Sequence, residues 1–171
     1  MSIYLTKNGK SLLYERIEKL EKELVDIRAE KAIAYTVSGD TWHDNPGFNA
    51  LEQSEHRKAT EIYELNKKIE AATICDISIR NTSSVKVGSI VRCVRYTQKN
   101  DDQIFIWEIV GLGESDPSQL KISYDSPVGS VLMGLSVHEE SEKVFIPSEK
   151  MYVTYEILKF YLDWKEVGNE K

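Results

Sequence analysis

Residues 11–38 read SLLYERIEKLEKELVDIRAEKAIAYTVS, and this stretch decides the N-terminal fold. Apolar side chains recur along it at alternating intervals of four and three residues, at Leu13, Ile17, Leu20, Leu24 and Ile27. Such a heptad spacing is typical of a helix that packs along a second helix. The stretch therefore predicts a long helix with one apolar seam.

A second heptad frame follows a short interruption. Its positions are occupied by Phe48, Leu51, Glu55, Lys58, Ile62, Leu65, Ile69 and Ala72, so that charged side chains weaken the seam towards Phe48. Between the two frames lie four helix breakers, Gly39, Asn45, Pro46 and Gly47. We expect two helices that pack as an antiparallel coiled-coil hairpin, roughly 40 Å long at 1.5 Å per residue. Residues 39–47 form its acidic tip.

The pattern changes after Cys75. Residues 76–89 have the composition of a linker, and later runs are rich in β-branched and aromatic residues: SIVRCVRYTQ (89–98), QIFIWEIVGL (103–112), EKVFIP (142–147) and YVTYEILKFYL (152–162). These runs predict four or five strands of an antiparallel β-sheet. One short helix is expected after Ser126, its candidate N-cap, with Pro127 at the first helical position and Gly134 at its end.

The expected fold class is therefore α+β, with a hairpin over residues 1–78 and a globular β domain over residues 79–171. Hydrophobic residues make up 41% and charged residues 29% of the 171 residues, which excludes wholesale disorder. The length excludes a large multidomain enzyme. No apolar run reaches the roughly 18 residues of a membrane span, and no signal peptide is visible, so we expect a cytoplasmic protein with no membrane association. The two cysteines lack metal-site spacing, and free buried thiols are expected.

The predicted tip carries the most informative side chains. Asp40 and Asp44 lie there without a nearby Lys or Arg. Carboxylate oxygens are ligands that Mg²⁺ prefers, but two carboxylates bind it weakly unless another macromolecule completes the site. The alternative is that both residues are helix caps and turn formers, roles that aspartate often takes. The residues alone leave both interpretations open.

Two neighbours of these carboxylates also admit two interpretations each. Trp42 either contacts a partner or folds back onto the hairpin. His43 is either a metal ligand or proton shuttle, or an exposed polar residue without such a role. No P-loop, G-x-S-x-G, G-x-G-x-x-G or H-E-x-x-H motif occurs in the sequence, so these enzymatic templates are not indicated.

Several fragments occur in an order that resembles one known family. They are LTKNGKSLLYERIEKLEKEL (5–24), AEKAIAYTVSGD (29–40), DNPGFNALEQ (44–53), WEIVG (107–111) followed by GESD (113–116), and KISYDSPVGSVLMG (121–134). Together they resemble the Gre family, GreA and GreB, the bacterial transcript-cleavage factors. The similarity covers nearly the whole chain.

The resemblance implies a coiled coil that enters the secondary channel of bacterial RNA polymerase and an FKBP-like domain that docks at the rim. It implies an accessory factor, not an enzyme, that stimulates cleavage of backtracked RNA at the nascent 3′ end, and it further implies DNA binding. Asp40 and Asp44 would be the catalytic carboxylates and would share Mg²⁺ with the polymerase, with no cofactor bound stably to the chain alone. A monomer is expected. The residues expected to contact the partner are Trp42, His43, Asn45, Ser126 and Pro127.

The tip departs from the family pattern G-D-x-x-E-N at three points. It has one more residue between the first acid and the Asn, it has Asp44 where the family has Glu, and Pro46 and Gly47 follow. The alternative function is therefore a Gre-like regulator that occupies the channel and inhibits or modulates the polymerase without stimulating cleavage. A prolyl isomerase is a third interpretation, by fold-level analogy alone. The basic residues nearest the tip form either a small RNA-facing patch or solvated helix faces: Lys31, Arg57 and Lys58.

Overall fold

The computed structural model describes residues 2–78, 80–97 and 102–168. The chain divides into two compact units: Lys10–Ala72 forms one, and Met1–Gly9 together with Thr73–Lys171 forms the other. The predicted boundary between residues 78 and 79 stays a prediction, because residue 79 lies outside the described residues. In the described part of the chain, no helix combines the length and the apolarity that a bilayer crossing needs.

The first unit is a pair of antiparallel helices. Its elements are α1 (Lys7–Ser38), a 3₁₀ helix (Gly39–Asp44) and α2 (Pro46–Ala71). Arg16 pairs with Glu61 at 2.7 Å, and Arg28 pairs with Glu55 at 2.8 Å. From the first pair to the second, the residue number rises on α1 and falls on α2. The two helices therefore run in opposite directions. This confirms the predicted hairpin.

Both predicted heptad frames face the interior of the hairpin. Ile17, Leu20, Leu24 and Phe48 are buried, and the other positions of the two frames are half-buried. The apolar side chains of the seam are removed from water when the two helices pair. This burial is the main source of stability for an amphipathic helix.

Two charged residues of the seam form ion pairs instead of apolar contacts. Oε1 of Glu55 accepts a hydrogen bond from Nε of Arg28 at 2.8 Å, and Oε2 accepts one from Nζ of Lys31 at 3.1 Å. These hydrogen bonds, first that of Arg28 and then that of Lys31, hold the pKa of the Glu55 carboxyl below its usual value. Lys58 pairs in the same way with Glu23 and lowers the pKa of that carboxyl. The seam therefore continues towards the tip as a polar layer.

Among its described residues, the second unit contains seven strands, two short α-helices and a short 3₁₀ helix (Pro117–Gln119). The strands and α-helices are β1 (Ile3–Thr6), β2 (Ala72–Cys75), β3 (Ile90–Thr97), β4 (Gln103–Val110), β5 (Lys121–Ser123), α3 (Pro127–Leu132), β6 (Val144–Ile146), β7 (Met151–Tyr161) and α4 (Trp164–Gly168). Strands β1 and β2 form a two-stranded sheet, and the other five form a sheet in the order β5-β4-β3-β7-β6. The α+β fold class is confirmed.

The five-stranded sheet is mixed. Strand β3 pairs antiparallel with β4 and β7, and β7 pairs antiparallel with β6, whereas β5 runs parallel to β4. The expectation of purely antiparallel pairing is therefore wrong for β5. Residues 111–120 exceed the length of a tight hairpin loop, and they return the chain so that β5 enters beside β4 in the same direction.

The core of the second unit gathers side chains from the central strands and from α3. Val91, Cys93, Ile109, Ile157 and Leu132 belong to one buried cluster. Burial raises the pKa of the Cys93 thiol to about 12, which makes this thiol unreactive at neutral pH. Both cysteines are free, as expected. Cys93 is buried, whereas Cys75 is half-buried at the end of β2.

No sequence pattern predicts the N-terminal strand β1, although it belongs to the core of the second unit. Leu5 and Thr6 are fully buried. The hydroxyl of Thr6 donates to Oε2 of Glu114 at 2.5 Å, and its N–H donates to Oε1 at 3.1 Å. The same hydroxyl oxygen accepts the N–H of Gly9 at 3.0 Å. These bonds attach the first residues of the chain to the loop that follows β4.

Candidate functional site at the tip of the hairpin

The two helices are connected by a 3₁₀ helix that covers Gly39–Asp44. Gly39 has a φ of +54°, in the left-handed region that glycine adopts without steric penalty, and α1 ends there. Asn45 then takes an extended conformation, and Pro46 is the first residue of α2. Gly39, Asn45 and Pro46 therefore act as predicted, whereas Gly47 lies within the first turn of α2.

Asn45 is the N-cap of α2. Its Oδ1 accepts hydrogen bonds from the N–H groups of Gly47 at 2.8 Å and Phe48 at 3.3 Å. Its Nδ2 donates to Oγ of Ser38 at 2.6 Å, which joins the start of α2 to the end of α1. The cap satisfies backbone donors that have no partner within the helix. Asn45 thus has a structural role, and its contact with a partner stays a prediction.

Four rings pack together beside the 3₁₀ helix, and we call them the tip aromatic cluster: Tyr35, Trp42, His43 and Phe48. Trp42 meets the buried Phe48 edge-on with 4.9 Å between ring centroids and lies 5.7 Å from Tyr35. The indole is half-buried and folds back onto the hairpin. His43 lies on the indole at a centroid distance of 3.8 Å, with its imidazole exposed.

Asp40 and Asp44 are exposed at this tip. Across the described residues, neither carboxylate has a hydrogen-bonding or ionic partner. The capping role that the sequence left open for them belongs to Asn45. Their oxygens therefore keep all of their lone pairs available to a ligand.

The donor chemistry of the tip fits a shared magnesium ion and not a self-contained one. Carboxylate oxygens are hard ligands, and Mg²⁺ is commonly held by one or two of them with water and phosphate in the remaining positions. In the part of the chain that the structure describes, no three His, Cys, Asp or Glu side chains come together to hold a metal ion. Asp40 and Asp44 can supply only part of a coordination shell.

The 3₁₀ conformation determines which side chains share a side. With three residues per turn, residues three apart eclipse each other, and residues four apart differ by about 120° around the axis. Ideal 3₁₀ geometry therefore places Asp40 on the same side as His43. It places Asp44 on the next side with Thr41, whose hydroxyl donates to the carbonyl of Ser38 at 2.8 Å. In this ideal geometry the two carboxylates do not project from one common side.

The basic residues nearest the tip are mostly paired. Lys31 pairs with Glu52 at 3.3 Å as well as with Glu55 at 3.1 Å. Lys58 pairs with an acid on α1, as described above. Arg57 is exposed. Ion pairs thus neutralise two of the three candidates for a basic patch, which favours the interpretation as solvated helix faces.

Ser126 and Pro127, the other predicted partner contacts, lie in the second unit at the start of α3. Oγ of Ser126 accepts the N–H of Gly129 at 2.9 Å, and Pro127 is the first helical residue, which confirms the predicted cap. A Cβ on Gly129 would lie 2.0 Å from the carbonyl oxygen of Ser123, so only glycine fits there. Contact of this helix end with a partner stays a prediction.

Three residues that shape the tip were not identified from the sequence: Ser38, Tyr35 and Asn49. Nδ2 of Asn49 donates to the carbonyl of His43 at 3.2 Å. Ser38 lies on the heptad frame of α1, so extending that frame beyond Ile27 finds it. Tyr35 lies off that frame, and no sequence signal identifies it.

Comparison with known proteins identifies the family. A family model described as Transcription elongation factor, GreA/GreB, C-term matches residues 80–161. The transcription elongation factor GreA of Prosthecochloris aestuarii is 31% identical over 160 residues, which cover 94% of this chain and 97% of that protein. The transcription elongation factor GreA of Alkaliphilus oremlandii is 35% identical over 164 residues, which cover 92% and 94%.

Among solved structures, the GreA factor homolog 1 (Gfh1) protein of Thermus thermophilus is 20% identical with a TM-score of 0.42, over 94% of this chain and 99% of that one. The sequence relatives decide the assignment, because each exceeds 30% identity over more than 90% of both chains. The chain belongs to the GreA/GreB family of transcription elongation factors.

Proposed function

We propose that this chain binds bacterial RNA polymerase through its secondary channel and stimulates cleavage of backtracked RNA, which rescues arrested complexes. Membership in a family of transcription elongation factors supports a role with the polymerase. The chain acts as a monomer in the cytoplasm and touches the nascent RNA 3′ end only inside the complex.

The observation that carries the proposal is the pair of tip carboxylates. Asp40 and Asp44 are exposed at the end of a long helical hairpin and have no partner among the described residues. Exposed carboxylates without a counterion leave their oxygens available to a cation supplied from outside.

In this proposal Asp40 and Asp44 would hold Mg²⁺ jointly with the polymerase. When bound, the ion stabilises negative charge and lowers the pKa of a coordinated water. The contribution of the chain itself is positional. Asn45 and the tip aromatic cluster hold the 3₁₀ helix in one conformation, so that the carboxylates are presented in a fixed place. The chain is then an accessory factor that acts through the active site of the polymerase.

The test is a cleavage assay on a backtracked elongation complex with 5′-labelled RNA and Mg²⁺. We expect the protein to shorten the RNA, and the shortened RNA to extend again when nucleotides are added. Asp40→Asn and Asp44→Asn should each lower the stimulated rate, on the order of a hundredfold, while binding to the polymerase persists. Asp26→Asn is the matched control, because it makes the same change at an exposed site on α1.

Two results would contradict the proposal. If both tip variants stimulate cleavage as well as the wild type does, the carboxylates have no part in it. If the tip variants fail to bind the polymerase at all, the carboxylates contribute to docking and not to cleavage.

A regulator that occupies the channel without stimulating cleavage is the second candidate. The 3₁₀ geometry favours it, because Asp40 and Asp44 differ by about 120° around the helix axis and do not share a side. In the same assay this protein would slow RNA extension and leave the length of the backtracked RNA unchanged.

A further inference from the structure

The tip aromatic cluster presents two exposed rings, Tyr35 and His43, and the ring of His43 is supported from behind by Trp42. The imidazole of His43 lies against Trp42 with 3.8 Å between centroids and an interplanar angle of 46°. Trp42 in turn contacts Phe48 and Tyr35, so the indole has little freedom to move away. Among the described residues, no second ring lies against His43. One face of its imidazole is therefore available to a flat ligand.

The charges at the tip restrict what that ligand can be. Residues 32–51 contain no Lys or Arg, and Asp40 and Asp44 are their only carboxylates. Phosphate groups are repelled from such a surface unless a cation lies between them. Apart from contacts made through a bridging cation, a nucleic-acid end that reaches this tip is therefore held through its base more readily than through its backbone.

We infer that His43 is the stacking surface for the unpaired nucleobase at the 3′ end of backtracked RNA. The inference rests on the proposed function, which brings that RNA end to the tip. Histidine is among the aromatic side chains on which unpaired bases stack, and stacking accepts every base because each has a π face. In ideal 3₁₀ geometry His43 shares one side with Asp40, so a base stacked there lies next to that carboxylate. His43 is then a positioning residue.

The test compares two RNAs and three proteins, with a fourth protein as the control. Backtracked polymerase complexes carry RNA with either a normal or an abasic 3′ nucleotide, and the apparent Kd of the full-length protein is measured for each. For normal RNA, His43→Ala should raise the apparent Kd about tenfold, whereas His43→Phe, which keeps a ring, should stay close to the wild type. For abasic RNA, the wild type, His43→Ala and His43→Phe should have equal apparent Kd values. The apparent Kd of the wild type should therefore be about tenfold higher for abasic RNA than for normal RNA. His56→Ala is the control, because it removes an exposed histidine from α2.

The possible results separate the inference from the proposed function. If His43→Ala weakens binding to both RNAs equally, the ring contacts a wall of the polymerase or has a structural role, and the inference is overturned. If His43→Phe is as weak as His43→Ala, stacking is not the contact, and the inference is also overturned. If the variants bind as expected but no RNA is cleaved, the stacking stands and cleavage is removed from the proposed function. If the wild type does not bind the polymerase, both are overturned.

Discussion

At the scale of single residues, the conformation of the tip depends on the side-chain amide of Asn45. Asn45 makes two capping bonds to α2 and one bond to Ser38 at the end of α1. We expect Asn45→Ala to lower the free energy of unfolding by about 1 kcal/mol, because backbone donors lose their acceptor. Urea unfolding followed by far-UV circular dichroism measures the change.

Two further variants test whether the cap is the cause. Asn45→Asp keeps an acceptor oxygen and should recover most of the loss. Asn66→Ala removes an exposed asparagine whose Nδ2 donates to the carbonyl of Ile62 in the same helix, and it should be neutral or slightly stabilising. A wild-type stability for Asn45→Ala would show that the capping bonds contribute nothing.

At the scale of the helices, the polar layer of the hairpin makes its stability depend on pH. Arg28 and Lys31 hold the pKa of Glu55 below its usual value of 4.5. The unfolded chain therefore takes up the proton first as the pH falls. The stabilisation is fully present above about pH 4.5, and it is lost as the pH falls through the lower pKa of the folded state.

We expect the hairpin to unfold at lower urea concentrations as the pH is lowered from about 6 to 3, as followed by its helical circular-dichroism signal. Glu55→Gln removes the titrating group, so this variant should be less stable at neutral pH and should show a smaller pH dependence. If the free energy of unfolding falls equally steeply with pH for the variant and the wild type, other carboxyl groups cause the acid sensitivity.

The elements differ in how much of them the sequence predicts. The heptad frames span many residues, so their repeated spacing identifies α1, α2 and the seam. Strands β1 and β5 contain only four and three residues, which is too short for an alternating pattern, and the parallel direction of β5 depends on contacts distant in sequence.

The same contrast holds at the site. Asp40 and Asp44 could be identified, because breakers on both sides mark the tip. The direction of Trp42 could not be predicted, because it depends on Tyr35 and Phe48, which meet only when the hairpin closes. A shared side for Asp40 and His43 follows from ideal geometry of the 3₁₀ conformation, which no local signal indicates.

At the scale of the whole molecule, the net charge of −6 governs contact with free nucleic acid. Binding through counterion release needs clustered cations. We expect the isolated protein to show no saturable binding to labelled duplex DNA or single-stranded RNA below roughly 100 μM at physiological salt, measured by fluorescence anisotropy. Saturable binding in the micromolar range would contradict this and would support the DNA binding that the family resemblance implies.

The ion pairs across the hairpin also constrain how such a protein can evolve. Arg16 meets Glu61, and Arg28 meets Glu55, only if both arms have matching lengths between each pair and the tip. An insertion in one arm would misalign every pair between the insertion and the base, whereas a heptad added to each arm keeps the seam and the pairs. Each such duplication lengthens the hairpin by about 10 Å. Paired steps of that size therefore change how far the tip reaches while the seam and its ion pairs are kept.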